Sequence, residues 1–292
     1  MSLDRLKQAT QSGLLSPEQI RASLGKVGLS PATRLLEADR VPSTGLEVIA
    51  VPERRLAFEL AFKFSKKIAG YIDLPAPTPE AMAEAGVDFA YLAKYPGNIV
   101  LAPHGLGLGN WQAIYIKATA DQTIPNNPLK AKKNGHGLYV WDSAKNNWPT
   151  FDKAPTVTTT PGRATLPNLI VTAPDGTTVT WTIRIIPGKQ TPDHLGADYH
   201  GNTIDPITKK LISPATPPTH QTVPEMLTDK LTTIFAGKAP SDTDISSWCD
   251  NGDLAAGSAP VGVWLSGGGR VLVSWHGLGV SHGVLGSRPS LG

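Results

Sequence analysis

One cysteine in 292 residues, Cys249, excludes an intramolecular disulfide framework, so stability must come from packing or from assembly. Asp244, Asp250 and Asp253 lie close to it in sequence and disfavour a thiolate, which makes Cys249 a buried small apolar side chain rather than a nucleophile. Charge is scarce as well. Asp, Glu, Lys and Arg make up 17% of the chain, against about 25% in an ordinary soluble domain. Large protein interfaces, or wet surfaces built from Thr, Asn, Gly and Pro, account for such a deficit. The net charge is only +3, and the basic runs Lys63 to Lys67 and Lys130 to Lys133 are too short to imply nucleic acid.

Other absences narrow the chemistry. No stretch approaches about 18 uninterrupted apolar residues, so no membrane-spanning helix is expected. The opening residues MSLDRLKQATQSG hold no apolar core of a secretory signal. The compact zinc spacings HExxH and CxxC are missing, as is a GxSxG nucleophile elbow. No residue is therefore assigned a catalytic, cofactor-binding or metal-binding role, and the chain is not read as an enzyme.

What the chain does have is alternation. Leu56, Phe58, Leu60, Phe62 and Phe64 fall at every second position, the period of a half-buried strand. The pattern returns at Val179, Trp181, Ile183 and Ile185 and at Val261, Val263 and Leu265. Strands are predicted over 46–51, 56–64, 68–74, 98–102, 111–119, 138–141, 169–172 and 178–186, near Leu211, and over 261–265 and 271–275. Asp175-Gly176 supplies the tight turn of one hairpin, and Ser266 to Gly269 the turn of another.

Helices are few. Thr78-Pro79 opens one running toward Lys94, and Met226, Leu227, Leu231, Ile234 and Phe235 mark another over 224–235, closed by Gly237. Ser16-Pro17-Glu18-Gln19 reads as a helix start, and Ser30 caps a second short helix, so residues 1–44 form an N-terminal helical arm. Residues 45–292 then form the core, with 121–200 an inserted small β subdomain or loop region. Without alternating βαβ units the fold class is mainly β, an antiparallel β-sandwich of single jelly-roll type with short helices.

Several constellations carry possible chemistry. His104-Gly105-Leu106-Gly107-Leu108-Gly109 is echoed by His276-Gly277-Leu278-Gly279. A phosphate-cradling loop needs a helix after its glycines, whereas the alternation at 111–119 predicts a strand, so both segments read as strand-end turns. His276 and His282 lie six apart, as do His194 and His200. Neither pair has a compact metal spacing, and both read as loop histidines. Asp242, Asp244, Asp250 and Asp253 lack the glycine and closing glutamate of a calcium loop and read as a solvated turn. Paired glycosidase carboxylates are spatial rather than sequential, and Glu59 is the main acidic residue within the predicted strands. Trp148, Trp181, Trp248 and Trp264 could form a sugar platform, although a β-sandwich of this size buries several indoles.

A β-rich chain without catalytic motif, with an N-terminal helical arm, large Pro/Thr/Asn loops and a hairpin-rich insertion, resembles the larger major capsid protein of Thermus tailless icosahedral phages with an internal membrane. The resemblance implies an upright single jelly roll and a thermophilic, virion-located structural protein made in the host cytoplasm. It also implies self-association, assembly with a smaller coat protein, and proximity to the viral membrane. No nucleic acid and no cofactor are implied. The alternative, from the tryptophans and the acidic stretch, is a carbohydrate-binding or carbohydrate-active β-sandwich.

Overall fold

The run that reads as the strongest strand is a helix. In the computed structural model, which describes residues 46–131, 136–155, 167–215, 218–250 and 257–290, residues Pro52–Gly70 form helix α1. Pro52 at its first turn fixes a helical φ, Glu53 and Lys67 complement the dipole at the two ends, and Phe58, Ala61, Phe62, Ser65, Ile68 and Ala69 recur at three- and four-residue spacing on the buried side. The expected strands at 56–64 and 68–74 are thereby corrected, and 46–51 holds a turn rather than a strand. Alanine is why: Ala57 and Ala61 stand in for the polar face of a strand, yet alanine is the strongest helix former and packs as readily inside.

The helix toward Lys94 is two helices, α2 (Pro79–Glu84) and α3 (Phe89–Leu92), divided where Gly86 takes a φ of 87°. Strand β1 (Asn98–His104) follows, then α4 (Leu108–Ala120), which replaces the strand expected at 111–119. Beyond it come β2 (Leu138–Val140), the short helices α5 (Asp142–Asn146) and α6 (Trp148–Phe151), and the predicted hairpin of β3 (Leu169–Thr172) and β4 (Thr178–Ile186). The remainder is β5 (Thr203–Ile204), β6 (Leu211–Ile212), helix α7 (Val223–Phe235), β7 (Ser246–Trp248), β8 (Ser258–Leu265), β9 (Arg270–Gly277) and β10 (Leu285–Ser287).

Substantial strands in sheets, with some helices, are thus present. One sheet is antiparallel, ordered β1-β4-β3; a second is ordered β10-β7-β8-β9-β2, and β5 pairs only with β6. In the five-stranded sheet β8 pairs antiparallel with both neighbours, whereas the edge strands β10 and β2 are added in parallel. Segment 121–200 contributes β2 to one sheet, paired with β9, and β3 and β4 to the other, where β3 pairs with β4 and β4 also with β1. The expected N-terminal arm lies outside the described residues.

Helix α7 packs against β1 of the first sheet and against β8 and β9 of the second. Thr222 and Glu225 close a reciprocal capping box at its start, and twelve of its thirteen residues are buried. A helix buried all round is normally apolar all round. This one carries Glu225, Asp229 and Lys230 inward, so each charge requires a partner in the interior.

Candidate functional site

Those partners form two buried groups. Glu225 meets Arg184 of β4, Nε to Oε1 3.0 Å, and also accepts from the backbone N–H of Thr222 at 2.8 Å. Thr182, beside it, lies 3.0 Å from Nε2 of His104. Burial, together with the Arg184 charge, lowers the His104 pKa to about 3, so the ring is neutral at any physiological pH. On the other side Lys230 donates to the Ser241 carbonyl (2.7 Å), the Ser241 hydroxyl (2.9 Å) and Asp242 (3.1 Å). Arg288 donates to both oxygens of Asp242 and to the Pro187 carbonyl, and Asp229 accepts from Asn98 and from Ser241. The Lys230–Ser241 pair has the composition of a nucleophile and its base. Asp242 occupies the ammonium as its counter-ion, and the whole group is sealed from solvent, so the arrangement is a structural one. Burial also pushes the Cys249 thiol well above its ordinary range, in keeping with an inert core cysteine.

The glycine-rich segment does have the context of a phosphate loop: β1, a turn with Gly105 and Gly107 at positive φ, then α4. The expectation of a following strand is overturned, but the anion seat is already taken. Gly107 N–H donates to Asp152 Oδ2 at 2.5 Å and Trp111 Nε1 to Oδ1 at 3.2 Å, while Gly105 N–H reaches the Asp152 carbonyl at 2.7 Å. An internal carboxylate caps this helix in the manner of a bound phosphate. Burial raises its pKa to about 6 against the pull of those donors. The echo at His276 ends β9 in a turn with no helix after it.

The acidic stretch does not converge. Asp242 is buried in its ion pairs, Asp244 is exposed and accepts from the Ser266 N–H at 3.0 Å, Asp250 faces Tyr199, and Asp253 lies outside the described residues. Among the described residues no group of three or more His, Cys, Asp or Glu is placed to hold a metal ion. The four tryptophans of the sugar-platform reading are all buried, which removes them as stacking surfaces. Only Trp141 is exposed, at 54%; Trp275 stacks on Phe151 at 4.9 Å.

Members of both histidine pairs, by contrast, are joined in one chain of ring contacts that runs through Tyr199 and Trp248. Its ring lies 4.4 Å from His220, 5.5 Å from His200 and 5.6 Å from Trp248; Trp248 meets His276 at 6.3 Å, and His276 meets His282 at 6.3 Å. Sequence spacing relates the members of each pair but not the pairs to each other, and it gives no hint of His220 or Tyr199.

From this cluster the chain runs into the β5–β6 hairpin. Thr203 faces Ile212 and Ile204 faces Leu211, and Asp205 closes the turn by accepting from the N–H groups of Ile207 and Thr208. Exposure is high: Ile204 54%, Ile207 89%, Leu211 62% and Ile212 51%. Cross-strand neighbours Ile204 and Leu211 share one face, Ile212 lies on the other, and Ile207 stands at the tip.

Comparison with protein-family models, curated proteins and solved structures finds no match to this chain. The surface itself must then indicate the role. Single exposed apolar residues are ordinary, but four large ones on one short hairpin, spread over both faces and the tip, are an unusual concentration of uncovered apolar surface.

Proposed function

We propose that the chain is a structural subunit that self-assembles, the β5–β6 hairpin docking on a neighbouring copy. The observation that carries this is the hairpin's four exposed aliphatic side chains. A two-stranded hairpin is marginal in water by itself, and one that displays isoleucine and leucine on both faces gains stability only when something covers them. In its specific form the proposal is a coat subunit of an icosahedral virion, with a smaller coat protein as second partner and an internal membrane nearby. Among the described residues no helix is long and apolar enough to cross a membrane. A jelly roll would need two facing antiparallel sheets. The described sheets have three and five strands with parallel additions at the edges, so the proposal rests on the surface rather than on the fold.

Ile207→Asp tests it. The side chain is almost fully exposed, so the fold should lose no more than about 0.5 kcal/mol. Light scattering over a concentration series at pH 7.5 should show wild-type oligomers or assemblies and a monomeric variant. A wild-type protein that remains monomeric, alone and with coat partners from its source, would sink the proposal.

A further inference from the structure

Five of the seven histidines lie where the hairpin joins the body, and their placement has a mechanical consequence. The segment leading into β5 is held by backbone contacts from Gly196 to Leu285 and from Tyr199 to Leu278, and by the Trp248 indole on the Ala197 carbonyl at 3.3 Å. Its central fastening is His220, whose Nε2 lies 2.9 Å from the Tyr199 carbonyl while its ring packs on the Tyr199 ring. A carbonyl only accepts, so Nε2 carries the proton and Nδ1 is the bare nitrogen. Nδ1 is buried and has no hydrogen-bond partner among the described residues.

We propose that the His220–Tyr199 contact is a proton-operated catch, closed at neutral pH and opened by acidification, that releases the β5–β6 hairpin from the body. A second proton on His220 would place an N–H at Nδ1 in a buried site that offers it no acceptor. The charged groups facing the ring oppose one another. Asp250, two residues past β7, attracts the cation, whereas His194 and His200, from the segment before β5, repel it when they carry charge. Burial is the largest influence and also disfavours the charge, so His220 titrates below its ordinary value of 6.5. His276 is lowered in the same direction by burial and by His282. The released segment binds protons more readily than the docked one, so acidification favours release. The catch rests on the assembly role only for its use: opening it would reposition the docking surface.

The test is amide hydrogen exchange on the full chain at pH 7.5 and 5.0, corrected for intrinsic rates, read at Gly196 and Tyr199, whose N–H groups donate to the Leu285 and Leu278 carbonyls, against the β8–β9 amides. A histidine titrating at about 6.5 when released and below that when docked gives a loss of protection at pH 5.0 whose upper bound is about 30-fold. The reference strands should hold theirs. His220→Gln keeps a donor for the Tyr199 carbonyl but cannot charge, and should lose most of this pH dependence. The exposed double substitution His194→Gln/His200→Gln, which spares the buried contact should His220→Gln fail to fold, should move the opening midpoint to lower pH. Equal wild-type protection at both pH values, an undiminished loss in a folded His220→Gln, or an unmoved midpoint in the double variant would overturn the catch. Repeating the exchange on Ile207→Asp separates the two ideas. That variant reports the catch in a monomer, while light scattering at pH 7.5 reports the docking surface alone.

Discussion

Replacing Asp242 by Asn probes the buried charge cluster without altering side-chain shape. Asp242 has a φ of 53°, a left-handed conformation that asparagine tolerates as well as aspartate, so the backbone adds little to the result. The cluster holds two cations, Lys230 and Arg288, against two carboxylates, Asp229 and Asp242. The substitution leaves one positive charge uncompensated in a site closed to water, at an expected cost of about 3–5 kcal/mol. With a urea m-value of about 3 kcal/mol/M, the unfolding midpoint should fall by roughly 1–1.7 M at unchanged m. Adding Lys230→Met restores the charge balance, so the double variant should be more stable than the two single losses summed, with a coupling of about 1–3 kcal/mol. The pH dependence has a definite sign. Burial acts to raise the Asp242 pKa, but Lys230 and Arg288 outweigh it and hold the group below its ordinary 3.8. The unfolded chain therefore takes up the proton first as pH falls. Asp242 contributes in full above that unfolded value, and its contribution is lost as pH drops toward the native one. The gap between wild type and Asp242→Asn should narrow below about pH 4. A loss under about 1 kcal/mol at pH 7, or a gap that does not change with pH, would refute the account of the cluster.

Two further substitutions test packing. A methyl added at Gly286 of β10 would stand 2.6 Å from the Asp193 carbonyl, which is backbone and cannot yield, whereas one at Gly262 of β8 meets the flexible end of Met226. Gly286→Ala should thus cost about 3 kcal/mol or more and Gly262→Ala about 1–2 kcal/mol in chemical denaturation. Phe58→Ala should remove about 3–5 kcal/mol, because the ring is fully buried against Phe89 at 5.4 Å; in the same assay Glu59→Ala, one residue along, should stay within about 0.5 kcal/mol.

The β3–β4 and β8–β9 hairpins and helix α7 were legible because pattern and turn chemistry agree there. Asp175-Gly176 sets a tight turn between β-branched runs, and the apolar residues of 224–235 keep helical spacing. At 56–64 and 111–119 the sequence satisfies two periods at once. Phe58, Phe62 and Ser65 lie on one helical face just as Phe58, Leu60 and Phe62 alternate along a strand, and only propensity separates the readings. Ala57, Glu59, Ala61, Lys63 and Lys66 favour a helix, as do Gln112, Ala113, Lys117 and Ala118 in the second segment. Weighting composition over alternation would have recovered both.

The interior charges were beyond any such reading. Glu225, Asp229 and Lys230 sit in a helix whose sequence looks amphipathic, so a solvent-facing side is the natural expectation. What buries that side is the first sheet, through β1 and β4 against Asp229 and Glu225, together with residues 241–242 and Arg288 around Lys230. Each charge then finds a counterpart from another segment: Arg184 from β4, Asn98 from 131 residues away, Arg288 by way of Asp242. No local spacing encodes such pairs. The same holds for the catch at Tyr199, whose histidines come from three stretches of chain. Polar contacts of long sequence separation tie α7 to particular partners, Glu225 to Arg184, Asp229 to Asn98 and Lys230 to Asp242, where apolar surface would have stabilised the helix without naming them.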